Sequence, residues 1–256
     1  MRIEAGVAPE VVATNKTPTS SDVFTGMLHS VQQVLMKDVP IAAVMVGTTH
    51  FINALIQRRN LCKVCTIRLC GPATRSLLPM SNWPEDLKGQ IDGLTVLVSG
   101  GYFFDGSILG PLDEDEIRTV VRQALASDIQ SFAICGVFSP SRPDQEQRVA
   151  EIIREESSNA FITLSHEIAG LGLIERENVS ILNACLRPLA VRTVKALEQA
   201  LPNGLPLFLT QNNGTLLSLE QCSRFPVFTF ASGSTNSMIG AAIIEFVEPQ
   251  IGRAHV

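Results

Sequence analysis

Apolar residues along this chain alternate between short continuous runs and stripes at helical spacing. Residues 41–46 form one such run, long enough for a buried strand and too short for a helix of its own. Gly47 supplies a turn, Thr48 or Thr49 can cap a helix, and Phe51, Ala54, Leu55 and Arg58 continue at helical spacing. Ahead of this segment, Ser21-Asp22 caps a predicted helix with Val23, Met27, Val31, Val34 and Leu35 on its apolar face. Residues 63–69 read as a strand. Residues 71–93 hold Gly71, Pro72, Pro79, Pro84 and Gly89 and read as a long loop or irregular insertion. A strand at 94–98 ends in Ser99-Gly100-Gly101.

The same alternation continues downstream. Acidic residues 113–115 open a helix with Ile117, Val120, Val121, Ala124 and Leu125 inward. A strand at 131–137 passes through Ser139-Pro140-Ser141-Arg142-Pro143 into a helix with Val149, Ile152 and Ile153 inward, and a strand at 160–164 closes a βαβ unit, expected to be right-handed. A helix carrying Ala190, Val194, Leu197 and Leu201, strands at 205–209 and 227–230, and a helix beginning near Met238 complete the pattern. The fold class is α/β. In open α/β sheets ligands sit between the carboxyl end of a strand and the start of a helix, which makes residues 47–59 the first place to look for function.

Composition narrows the picture. A chain of 256 residues with 45% hydrophobic content holds one large or two small domains with a real core. A net charge of −5 and no dense basic stripe argue against a nucleic-acid partner. No apolar run approaches the ~20 residues needed to cross a bilayer, and residues 1–5 lack the apolar region of a signal peptide, so no membrane partner is expected and the default location is cytoplasmic. Of the six cysteines, Cys62 and Cys65 have C-x-x-C spacing. The strand reading puts them on opposite faces, and no second C-x-x-C or paired histidine completes a metal site, so buried, reduced cysteines are expected.

Three strand-end turns and two histidines invite chemistry. In Ser232-Gly233-Ser234-Thr235-Asn236-Ser237, small hydroxyl residues and a glycine at a helix start can offer N–H groups to a phosphate, or simply cap the helix. Ser99-Gly100-Gly101 is a second such turn. Asn212-Asn213-Gly214-Thr215 fits a hairpin or βα turn. His50 and Ser165-His166-Glu167 suggest acid–base work, yet on spacing alone neither histidine has a second ligand or a nucleophile in a recognised frame, and a structural role comes first. His29 falls in an amphipathic helix and needs no function.

Taken in order, these pieces resemble the hydantoinase/5-oxoprolinase family, in its hydantoin-utilisation A branch. The matching segments are Lys16-Thr17-Pro18-Thr19, Gly47-Thr48-Thr49-His50-Phe51, Gly71-Pro72-Ala73-Thr74-Arg75 and Trp83-Pro84-Glu85-Asp86-Leu87. They continue with Gly100-Gly101-Tyr102, Ser165-His166-Glu167-Ile168, Arg176-Glu177-Asn178, Asn183-Ala184 and residues 232–238. The resemblance implies an actin/hexokinase-like (ribonuclease H-like) fold, incomplete, with the N-terminal domain over 1–183 and the start of a second over 184–249. It implies ATP and Mg2+ as cofactors of the complete family member, and ATP-dependent opening of a small cyclic amide by phosphorylation of the amide oxygen. By the same analogy Thr48, Thr49 and Asn53 line the cleft and Ser232 and Gly233 lie near nucleotide or substrate. Gly47, His50, Asn213 and Gly214 are further cleft candidates, and no residue is assigned to catalysis or to the metal.

The chain also departs from the family pattern. The Asp-x-Gly-Gly-Thr-x-Thr-Asp phosphate loop that opens such proteins is not in the sequence, and neither is the second one that the family pattern places shortly after the helix at 238–247. Ile52 stands where threonine is usual and Ser234 where proline is usual. Residues 251–256 are what ATC GGA AGA GCA CAC GTC encodes, the start of a common sequencing adapter, so 250–256 is set aside as a non-native tail. The expectation is a fragment of an ATP-dependent cyclic-amide hydrolase, inactive as written, with a second hydantoinase-type subunit or another copy of itself as partner. The alternatives are a non-catalytic interaction subunit and a relative of ATP-dependent ketone carboxylases.

Overall fold

A computed structural model of the chain describes residues 12–16, 33, 41–201 and 205–245. The helix predicted around residues 22–35 lies outside these, apart from Gln33, which is helical. The described residues fall into two compact units, one within 1–49, 192–222 and 228–256, the other within 50–191 and 223–227.

The smaller unit holds a three-stranded sheet built from β1 (Val44–Val46), β6 (Leu207–Thr210) and β7 (Leu216–Ser218), in the order β1-β6-β7. Strand β1 runs parallel to β6, and β7 pairs antiparallel with β6. The strands expected at 41–46 and 205–209 are therefore shorter or shifted. Helix α7 (Ser232–Glu245) belongs to the same unit.

The larger unit is built on a four-stranded parallel sheet. Its strands are β2 (Val64–Leu69), β3 (Asp92–Val98), β4 (Ser131–Gly136) and β5 (Phe161–Leu164), in the order β3-β2-β4-β5. Every residue of the two central strands is buried, as their near-continuous apolar runs require of a sheet covered on both faces. Helix α1 (His50–Ile56) buries Phe51, Ala54 and Leu55, as its spacing predicts. Helix α3 (Glu114–Ala126) starts where Asp113 Oδ1 accepts from Asp115 N at 3.1 Å and Glu116 N at 3.0 Å. It buries Ile117, Val120, Val121 and Ala124, while α4 (Asp144–Glu156) buries Val149, Ile152 and Ile153. These stripes meet Ile67, Leu69, Phe132 and Ile134 of the central strands in one core.

Several expectations fail for identifiable reasons. Residues 71–93 are not all loop: Pro84 and the acidic pair Glu85 and Asp86 start α2 (Glu85–Ile91), and β3 begins at Asp92. Only Ile91 of α2 is buried, so there is no apolar stripe to reveal it. Arg58 does not extend α1, because the helix ends at Ile56 and Arg58 sits at φ 54°.

Helix α5 (Leu173–Ala200) begins far earlier than its apolar stripe suggests. Its first turns bury Arg176, Glu177, Ser180 and Asn183, polar residues that hide the helical period. The strand expected at 227–230 is a 3-10 turn, Pro226–Thr229, which Ala231 at φ 56° swings into α7. Helix α7 consequently begins at Ser232 rather than near Met238. Helix α6 (Leu219–Arg224) and strand β7 are too short to leave a periodic pattern in the sequence. Among the described residues no helix is long and apolar enough to cross a membrane.

Candidate functional site

In the smaller unit the carboxyl ends of the parallel strands β1 and β6 come side by side, with Val46 in register with Leu209. Gly47, Thr48 and Thr49 follow β1, and Thr210 ends β6. With Met45 and with Gly233 and Asn236 of the first turns of α7, they line a pocket of about 520 Å³. The geometry is held by polar side chains. Asn236 Nδ2 donates to Thr210 Oγ1 at 2.6 Å, Thr210 Oγ1 donates to Val46 O at 3.4 Å, and Thr235 Oγ1 donates to Asn212 O at 2.8 Å.

Gly47 lets a neighbouring side chain approach closely. A Cβ there would lie 2.5 Å from Asn236 Nδ2. Over Gly233, by contrast, an added Cβ would meet nothing within 4 Å, so the start of α7 is open. Helix starts leave N–H groups without intrahelical partners, and the macrodipole makes them attractive to negative charge. The hydroxyls of Ser234 and Ser237 turn back onto Ala231 O and Gly233 O of their own helix. The Ser232 hydroxyl is buried without a hydrogen-bond partner. Among the described residues no charged side chain lines the pocket.

Of the residues singled out from sequence, Gly47, Thr48, Thr49 and Gly233 therefore share one pocket, and Ser232 opens the helix beside it. Asn213 and Gly214 form the turn between β6 and β7, where Asn213 Oδ1 accepts from Thr215 N at 3.0 Å and Gly214 adopts φ 85°. That is a hairpin turn with its own reason to exist. His50 and Asn53 lie on α1, in the larger unit. Burial lowers the His50 pKa, so its imidazole is neutral at pH 7. Sequence reasoning does not single out Met45, Thr210 or Asn236. Asn236 does sit inside the hydroxyl-rich motif, three residues after Gly233, and helical spacing puts the two on one face.

The family-like motifs of the larger unit converge elsewhere, on the start of α5. Arg176 Nε donates to Ser165 Oγ at 2.9 Å, and its two Nη groups reach Gly170 O, Leu171 O and Gly136 O. Its neighbour Glu177 pairs with Arg68 of β2, Arg68 Nε donating to Oε1 at 2.7 Å, and both side chains are buried. Arg68 also donates to Thr74 O and Leu77 O. Trp83 Nε1 donates to Asn178 Oδ1 at 3.0 Å. Three consecutive residues of α5 thus tie down separate stretches of the unit.

His166 finds a partner that spacing does not reveal. Its Nδ1 lies 2.6 Å from Glu146 Oε2, and Ser165 Oγ donates to Glu146 Oε1 at 2.5 Å. The Gly136 N–H adds a bond of 2.7 Å. Burial pushes the Glu146 carboxyl up, but the bonds from His166, Ser165, Ser139 and Gly136 outweigh it and hold the group below the usual carboxylate range. These bonds tie Ser165, His166, Glu146 and the Gly136 backbone into one polar knot.

The strand-end turn at Ser99-Gly100-Gly101 is closed. A Cβ on Gly101 would lie 2.7 Å from Leu69 O, one on Gly100 2.9 Å from Leu69 Cβ, and one on Gly110 2.8 Å from Gly100 N. Gln145 seals the packing, accepting from Gly101 N at 2.6 Å and donating to Gly110 O at 3.2 Å. All six cysteines are thiols, five of them buried, with Cys65 and Cys135 pushed up to about 12 mainly by burial. Among the described residues no group of three His, Cys, Asp or Glu side chains is placed to hold a metal ion.

Comparison with known proteins gives consistent results. Residues 3–157 match the hydantoinase/oxoprolinase N-terminal region. The chain is 29% identical over 191 residues to caprolactamase subunit alpha of Pseudomonas jessenii, covering 66% of this chain and 26% of that protein. It is 33% identical over 88 residues to the acetophenone carboxylase gamma subunit of Aromatoleum aromaticum, covering 32% of this chain and 12% of that one. The crystal structure of the ATP-dependent caprolactamase from Pseudomonas jessenii superposes with a TM-score of 0.67 at 22% identity, over 89% of this chain and 36% of that one. The nucleotide-free acetone carboxylase, from work on ATP-dependent acetone carboxylation, superposes with a TM-score of 0.62 at 19% identity, over 88% and 36%. The mixed α/β fold is that of the matching regions of these two enzymes, in keeping with the actin/hexokinase-like expectation. The chain spans about a quarter or less of the curated relatives and about a third of the solved ones.

Proposed function

The chain belongs to the hydantoinase/oxoprolinase family, and on that premise we propose that it forms one wall of the active cleft of an ATP-dependent enzyme that opens cyclic amides. The observation carrying this reading is the pocket of the smaller unit, where Gly47-Thr48-Thr49 and the start of α7, two family-like segments far apart in sequence, line one cavity with Thr210. Its role in this reading is to receive an oxygen-rich group, a phosphoryl or an amide carbonyl, from backbone N–H groups and threonine hydroxyls.

ATP-dependence is stated of the caprolactamase and acetone carboxylase relatives. The residues here fit the phosphate of ATP in one respect, the open helix start at Gly233. They do not fit Mg2+, which favours carboxylate oxygens, because among the described residues the lining carries none. When bound, ATP would supply the phosphoryl group that turns an unreactive amide into an electrophile. This chain's share is to position that group and limit water around it, with Gly47 allowing Asn236 and Thr210 to close the wall.

We further propose that residues 1–183 and 184–249 belong to successive domains of the parent protein and that 250–256 is not native. Because the pocket's described lining offers no carboxylate for a metal and no cation for a phosphate, and neither phosphate loop of the family is in the sequence, the chain by itself is expected to turn over no ATP. A phosphate-release assay with ATP, Mg2+ and either hydantoin or 5-oxoproline tests this; metal-dependent turnover by the chain alone contradicts it. A second reading, an interaction subunit without catalysis, is favoured by the names of the relatives, which are an alpha and a gamma subunit. Co-purification with a second hydantoinase-type polypeptide, with no nucleotide binding by this chain alone, would select it.

A further inference from the structure

The C-x-x-C spacing at Cys62 and Cys65 is the one chemical motif that neither the pocket nor the polar knot absorbs. Cys65 lies inside β2 and is fully buried. Cys62 precedes the strand, is partly exposed, and faces α5 instead. The reason lies in Pro188, inside that helix. A proline has no N–H for the carbonyl four residues earlier, so Ala184 O loses its helical donor. Ser131 Oγ donates to it at 2.7 Å, and Cys62 Sγ sits 3.7 Å from it. The next carbonyl, Cys185 O, accepts from Cys62 N at 3.1 Å.

A backbone bond of that length holds the two Cα atoms within roughly 5–7 Å, the span of a disulfide. Cys62 Sγ therefore lies against the peptide that joins Ala184 to Cys185. The Cys185 thiol is fully buried and donates to Leu182 O at 3.1 Å. One partly exposed thiol thus stands beside one sealed thiol, an arrangement in which the first meets an oxidant and the second resolves it.

We propose that Cys62 and Cys185 form a reversible disulfide under peroxide, a modification site that pins the segment entering β2 to α5 at its proline break. In the first step hydrogen peroxide oxidises the Cys62 thiol to a sulfenic acid and is reduced to water. In the second the Cys185 sulfur attacks the Cys62 sulfur, the S–OH bond breaks, the Cys185 proton leaves with the hydroxide as a second water, and the S–S bond forms. Two thiols are oxidised by one peroxide, and an exogenous thiol reverses the bond. Burial raises the Cys185 pKa well above its usual value, which keeps that thiol protonated and fixes the order of events.

The test is to expose the reduced chain to hydrogen peroxide, block remaining thiols by alkylation, and map peptides by mass spectrometry without reduction. The expected product is a linked peptide pair containing Cys62 and Cys185, lighter by two hydrogens and restored by dithiothreitol. Cys62→Ser should abolish the link. Cys185→Ala or Cys185→Ser should abolish it and send Cys62 on to sulfinic acid. Should the buried Cys185 variants fail to fold, the peptide map of the unsubstituted chain decides alone. Sulfinic acid at Cys62 in that chain without any link, a link from Cys62 to Cys65, or an unreactive Cys62 would overturn the proposal.

Discussion

The two units place the same feature, the carboxyl ends of parallel strands, in opposite settings. In the smaller unit, β1 and β6 end in an open pocket whose wall is drawn in by the Gly47–Asn236 approach. In the larger unit, β3 runs into Gly100 and Gly101, which are jammed against Leu69 at the end of β2 and sealed by Gln145. Topology nominates both ends for ligands. Glycine spacing does not tell them apart, because a missing Cβ serves an approaching ligand and an approaching backbone equally well. What separates them is packing: Gln145 and Leu69 fill the strand end of the larger unit, whereas the strand end of the smaller unit borders a cavity lined by Thr48, Thr49, Thr210 and Gly233.

That contrast breaks most readily at the buried ion pair of the larger unit. Arg68→Met leaves Glu177 buried and unpaired and strips donors from Thr74 O and Leu77 O. A loss of about 3–5 kcal/mol is expected in urea unfolding; a loss below ~1 kcal/mol would remove the pair from the scaffold. Gly101→Ala comes next, since φ 85° and a Cβ 2.7 Å from Leu69 O leave it neither conformation nor room. Its cost is expected at about 2–4 kcal/mol by the same measurement.

Glu146 gives a smaller effect with a signature in pH. Its folded pKa is held below the unfolded value, so its contribution is complete above the usual carboxylate range and fades as pH falls through the folded pKa. Glu146→Gln should therefore lose about 1–3 kcal/mol at pH 7. The gap to the parent chain should narrow as the pH falls below about 4.5, the ordinary value for a glutamate. A gap independent of pH would mean that packing, not charge, is what the site supplies. Gly47→Ala should cost the least, within ~1 kcal/mol, because the obstructing Asn236 amide is the movable end of a side chain. Its effect should appear in the pocket instead.

Much of the fold is legible wherever burial is one-sided and apolar. The stripes of α3 and α4 and the runs of β2 and β4 read correctly because packing there is decided by hydrophobic side chains. The pattern fails where polar residues are buried or apolar ones are scarce. Arg176, Glu177, Ser180 and Asn183 conceal the first half of α5, and exposed α2 has no stripe at all. At residues 227–230, β-prone side chains occupy a 3-10 turn between Pro226 and left-handed Ala231, so local propensity loses to chain direction.

The candidate site is legible in part for a related reason. Gly47, Thr48, Thr49 and Gly233 stand beside turns and helix starts, which leave a mark in sequence. Thr210 and Asn236 join them only through strand register and a long-range hydrogen bond. His166 likewise looks solitary in sequence because its carboxylate, Glu146, is presented by a different helix.

The pocket's role can be tested most directly by following backbone amide resonances of the chain while inorganic phosphate is titrated in. The account expects saturable shifts centred on Gly233, Ser234, Thr48 and Thr49, and their loss in Gly47→Ala at unchanged fold. Shifts that do not saturate, or that gather on the strand ends of the larger unit, would contradict it.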